Sequence, residues 1–133
     1  MKRFLHLFIA ILMILAVPMA THAAAPEEEA VQPYSVYNYS SQIYKYTPNL
    51  AEIYATSTYD STIEVVATAQ LQRYDNDNAC WVNYGTSVTN TKLATTVTAS
   101  KPVSVASGYK YRVKGTHRIG VKTFTSYSTV LSF

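Results

Sequence analysis

This sequence is poor in the groups from which most small-protein chemistry is built. Its 133 residues include one cysteine, Cys80, so no intrachain disulfide can form. Of three histidines, His6 and His22 fall in an N-terminal leader, which leaves His117 alone. A cysteine nucleophile needs a neighbouring base, and neither Cys80 nor His117 lies in a local motif that supplies one. Both read as strand residues, Cys80 as a small apolar one with a disulfide-linked dimer as its alternative, and His117 as half-buried near a sheet edge. "DNDN" (75–78) begins like a calcium loop, yet Cys80 stands where that loop needs Gly and Thr86 where it needs Glu. Glu52 and Glu64 are the one conceivable carboxylate pair for glycoside hydrolysis, and both are expected to face outward from strands. No enzymatic activity, cofactor or metal is therefore expected. Glycine is scarce as well, at four residues, and no stretch carries the 3.6-residue apolar period of a helix beyond the leader.

The leader itself, "MKRFLHLFIAILMILAVPMATHAAA", has Lys2 and Arg3, an apolar run from Phe4 to Val17, and small residues where a signal peptidase cuts. It reads as a helical signal peptide over 1–25, too short in its apolar run to span a bilayer, and predicts a secreted protein with no transmembrane anchor after cleavage. A basic leader and near absence of cysteine suit a Gram-positive bacterium. The acidic "APEEEAVQPYS" (25–35) has little to bury, so residues 26–39 are expected to form a flexible arm ahead of a single domain at 40–133.

What is abundant is β composition: twelve tyrosines, seven of them between Tyr34 and Tyr59, among many Thr, Val and Ser. "TIEVVATAQLQRY" (62–74) alternates strictly, with Ile63, Val65, Ala67, Ala69 and Leu71 on one face. "DNDNA" (75–79) predicts a polar turn, and "CWVNYGTSV" (80–88) the returning strand, with Trp81 buried in the core. Further strands are expected at 41–46, 50–59 and 91–100, the last ended by Pro102. A hairpin around Gly120 closes the domain and buries Tyr127, Leu131 and Phe133. The total is about seven strands. The tyrosines have two readings, packing at the sandwich margins or a stacking platform for sugars or protein.

"SGYKYRVKG", followed by "SYS", resembles the last two strands of a fibronectin type III or other immunoglobulin-like domain. That resemblance implies an antiparallel immunoglobulin-like β-sandwich, with the hydroxyl of Tyr109 bonded back to the preceding turn as a tyrosine corner. "LQRYDNDNACW" together with "GYKYRVKGTH" is also similar to small secreted Firmicutes proteins of a family of unknown function. The likeness covers residues 62–133 and implies fold and compartment, with no activity.

Charge is unevenly spread. Residues 26–78 hold all eight acids and two bases, whereas residues 101–133 hold six bases and no acid. Within "GYKYRVKGTHRIG" (108–120), Lys110, Arg112, Lys114 and Arg118 share one parity and point outward, while Tyr109, Tyr111 and Val113 face the core. The row spans about 27 Å of strand at about 3.4 Å per residue. Residues 62–74 are expected beside it, offering Glu64, Gln70 and Gln72. Two readings stay open: an ordinary solvated face, or a site for an extracellular or cell-surface polyanion. On the second, the partner is an anionic cell-wall polymer, a glycan or another protein. No nucleic acid is expected, because no aromatic is interleaved with the basic residues on the same face to stack bases. A bacteriocin-like or inhibitor-like effector is the alternative function.

Overall fold

The computed structural model describes residues 36–133. The predicted signal peptide and residues 26–35 of the arm lie outside the described residues. All described strands are antiparallel and join in one curled sheet: β1 (Tyr37–Thr47), β2 (Leu50–Asp75), β3 (Cys80–Asn83), β4 (Val88–Ser104), β5 (Lys110–Ile119), β6 (Lys122–Tyr127) and β7 (Leu131–Ser132). The class is all-β and the strands number seven, though they are divided differently from the sequence reading. β1 already includes Tyr37, Asn38 and Tyr39 of the expected arm, paired with Tyr59, Thr58 and Ser57.

The two strands expected at 50–59 and 62–74 are one. No Gly or Pro interrupts residues 50–75, and burial alternates on either side of residues 58–64: Ala51, Ile53, Ala55 and Ser57 before them, and Val65, Ala67, Ala69 and Leu71 after them, are all fully buried. The pairing with β4 slips between Thr58 and Ile63. The first half of β2 lies between β1 and β4, the middle between β4 and β5, and the end between β3 and β5. Because this face is apolar in both halves of the strand, from Ala51 to Ala55 and from Val65 to Leu71, burying both requires the sheet to curl around it. β1 then lies over β5 and β6, with which it does not pair: Tyr37 meets Phe124 at 5.2 Å and Ser41 meets Ser126.

β4 runs through Pro102 to Ser104, past the expected stop. Among the described residues it pairs with β2 alone, as an edge strand, where a residue without an N–H is tolerated. The hydroxyl that bonds back to the preceding turn is that of Tyr111 and not of Tyr109. Tyr111 is fully buried, accepts the Ala106 N–H at 3.0 Å and donates to the Ala106 carbonyl at 3.2 Å. Tyr109 precedes the strand and is 38% exposed.

The end of the chain also departs from simple parity. Lys114 pairs with Tyr127, but Tyr111 pairs with Leu131, so one extra residue is accommodated across 128–130. The insertion flips the alternation. Leu131 and Phe133 turn inward, while Tyr127 turns out and is 52% exposed.

Candidate functional site

Paired residues of neighbouring antiparallel strands share a face, so register decides what surrounds the basic row. Gln72 pairs with Arg112 on one side and with Asn83 on the other; Tyr74 pairs with Trp81, and Lys114 with Tyr127. All of these side chains therefore lie on the outer face. The Arg112 guanidinium is held between two rings, 4.4 Å from Trp81 and 4.2 Å from Tyr127. Its Nε donates to Gln72 Oε1 at 3.0 Å, and Gln72 Nε2 donates to Asn83 Oδ1 at 3.1 Å. Tyr74 supports the Trp81 ring edge-on at 5.2 Å.

The four bases are thus not equivalent. Arg118 is neutralised by Glu64, 2.6 Å away, as the expected placement of Glu64 beside the row allows. Arg112 is fixed by stacking and one amide, with no carboxylate. Lys110 and Lys114 make no hydrogen bond or ion pair among the described residues. By contrast, Lys45 is tied to the Ser132 carbonyl, Lys101 to Thr86, and Lys122 lies over the Tyr37 ring. The candidate site contracts to Lys110, Arg112 and Lys114, flanked by Trp81 and Tyr127. Beyond Tyr127 lies a depression of about 400 Å³ lined by Ser41, Gln42, Ile43, Tyr44, Tyr127 and Thr129.

Two sequence expectations are corrected here. Aromatics do stand on the face of the row, supplied by β3 and β6, which sequence alternation within β5 cannot reveal. Trp81 is half-buried on this face and not a core residue. Its loss removes one aromatic edge contact and one cation–π contact, so Trp81→Ala is expected to cost about 1–2 kcal/mol in urea unfolding. A loss as large as a core aromatic deletion, about 3–5 kcal/mol, would show that the ring holds the fold.

The remaining chemistry-bearing residue, His117, is not near a sheet edge. β5 lies between β2 and β6 at this point, and His117 is fully buried. Its Nδ1 is 2.8 Å from Ser57 Oγ and its Nε2 is 2.7 Å from Ser126 Oγ, which in turn is 2.5 Å from Ser41 Oγ. Proton counting orients the chain. Ser57 gives its one hydroxyl proton to the Val66 carbonyl, so Nδ1–H donates to Ser57, and the Ser41 and Ser126 hydroxyls donate in turn toward Nε2. Every member is satisfied with a neutral ring, and burial pushes the His117 pKa down to about 4. Gly115 makes the cluster possible: a Cβ there would stand 2.1 Å from Ser41 Oγ, 2.6 Å from His117 Nε2 and 2.7 Å from Ser126 Oγ. A glycine two residues from a same-face histidine was the one sequence signal for it.

Of the other candidates, Cys80 is exposed and free. Asp75 folds back onto its own turn, accepting from the Asp77 and Asn78 N–H groups and from Asn78 Nδ2. Glu52 accepts the Tyr46 hydroxyl at 2.5 Å, a bond that raises the tyrosine pKa, and stands twelve positions from Glu64 on the same strand. The tyrosines divide: Tyr37 stacks on Tyr59 at 4.9 Å, while Tyr44 and Tyr46 remain exposed. No protein-family model matches this sequence, and no curated protein matches it.

Proposed function

We propose that this chain is a secreted, non-enzymatic protein on an immunoglobulin-like sandwich, and that its outer face binds an extracellular polyanion, either an anionic cell-wall polymer or an acidic glycan. The observation that carries the reading is the Arg112 guanidinium clamped between Trp81 and Tyr127, with uncompensated Lys110 and Lys114 on either side of it. A clamped guanidinium is already ordered, so docking an anion costs little side-chain entropy, and the exposed Tyr127 ring can pack against a sugar face. The depression beyond Tyr127, bordered by Ser41, Gln42, Tyr44 and Thr129, suits a hydroxylated unit of the same polymer. The leader and the Gram-positive composition support the compartment. The Tyr111 bond to Ala106 supports the sandwich. The burial of His117 supports a non-enzymatic role, because a neutral imidazole sealed between serines is withdrawn from substrate.

Binding to purified Gram-positive cell walls should weaken steeply with added salt, since exposed charges are screened over about 8 Å at physiological ionic strength. Replacing Lys110, Arg112 and Lys114 together by Gln should weaken binding at low salt by about tenfold or more, equivalent to about 1.4 kcal/mol or more. Arg118→Gln should change it by less than about twofold, because its charge is already paired. Equal losses from Arg118→Gln and from the triple variant would leave only a general charge effect, and undiminished binding of the triple variant would refute the site.

A further inference from the structure

The arginine of β2, Arg73, occupies a second aromatic slot on the opposite face of the sheet. Its guanidinium lies 5.2 Å from the Tyr84 ring and 4.5 Å from the Tyr109 ring. Its Nε is buried without a hydrogen-bond partner, so stacking and not an acceptor sets its position. It borders a depression of about 390 Å³ lined by Arg73, Tyr74, Asp75, Asn76, Asp77 and Tyr109. Asp75 is consumed by the turn, which accounts for both of its carboxylate oxygens and holds its pKa below the usual range, chiefly through Asn78. The Asp77 carboxylate is exposed and makes no hydrogen bond or ion pair among the described residues. Arg73 and Asp77 thus present opposite charges to one small depression without pairing with each other. A ligand that carries both charges matches that arrangement, and an anion or a cation alone matches half of it.

We infer that this depression is a binding site for a small zwitterion bearing a carboxylate and an ammonium group, the carboxylate on Arg73 and the ammonium on Asp77, with the Tyr109 ring walling one side. Free α-amino acids and short peptides share this chemistry and differ in the separation of the two charges. The inference does not depend on the polyanion face, which uses other residues.

Amide chemical-shift titrations of the intact protein with L-alanine, L-alanyl-L-alanine, acetate and ethylammonium test it. A zwitterion should saturate shifts at residues 73–77 and 109 with at least about tenfold higher affinity than either half-ligand, and the better of alanine and dialanine gives the span of the site. Asp77→Asn, at an exposed turn position, and Arg73→Gln should each weaken that binding by about tenfold, with wall binding unchanged. Absence of saturable shifts with either zwitterion would overturn the inference. So would half-ligands binding as tightly as the zwitterions, or an Asp77→Asn variant that binds as the parent does. Should Arg73→Gln not fold, the Asp77→Asn result decides.

Discussion

Gly115→Ala is expected to lower the unfolding free energy by about 3–5 kcal/mol, combining overpacking with the loss of a satisfied buried hydrogen bond. The methyl would sit 2.1 Å from Ser41 Oγ, so that hydroxyl must move, and moving it breaks the bond to Ser126. Its contacts of 2.6 and 2.7 Å with His117 and Ser126 then remain, and these atoms are pinned by each other. The strand conformation itself is ordinary at this position, so the cost is steric and not one of backbone strain. A double variant separates the terms. Ser41→Ala removes the nearest atom, and Gly115→Ala with Ser41→Ala should lose clearly less than the sum of the two single losses in urea unfolding. Simple additivity would show that the hydroxyl cluster does not require the glycine.

Acid should weaken the fold through His117 well before its carboxylates are protonated. The unfolded imidazole titrates near about 6.5, whereas burial holds the folded one down to about 4. The folded state therefore excludes a proton that the unfolded state accepts. Stability from this group is full above pH 6.5, falls as the pH drops below it, and is exhausted near pH 4. The difference corresponds to about 3 kcal/mol lost across that window. His117→Gln places a neutral amide in the same cluster and should flatten the pH dependence between 6.5 and 4, at some cost at pH 7. Asp75, with its pKa lowered by Asn78 and the turn N–H groups, adds its own loss only at lower pH, and equally in both proteins. Parallel stability curves for parent and variant between pH 7 and 4.5 would show that His117 is not held neutral by the fold.

These two effects and the polyanion site differ in how far they can be read from the chain. Alternation is local, because successive side chains point to opposite faces whatever the strand pairs with. It therefore sufficed for the inward set Val65, Ala67, Ala69 and Leu71, for the turn after Tyr74, and for the outward direction of Lys110, Arg112, Lys114 and Arg118. The same rule failed at Tyr127, where a single extra residue across 128–130 reversed the faces. It failed again at Tyr59 to Thr62, where burial stops alternating and the pairing with β4 slips, yet the strand runs on because no Gly or Pro interrupts it.

The sequence by itself determined an all-β domain, the apolar face of residues 62–74 and a basic row free to face solvent. Which residues share that face was settled by the tertiary structure. Trp81 and Tyr127 reach Arg112 from β3 and β6, and Glu64 silences Arg118 from β2, because register between strands is set by long-range pairing. The same holds inside, where Ser41, Ser57, His117 and Ser126 come from four strands to make one hydrogen-bonded chain above Gly115. Each residue alone has the pattern of an unremarkable strand position, and only curling the sheet around its apolar face brings their polar atoms within bonding distance.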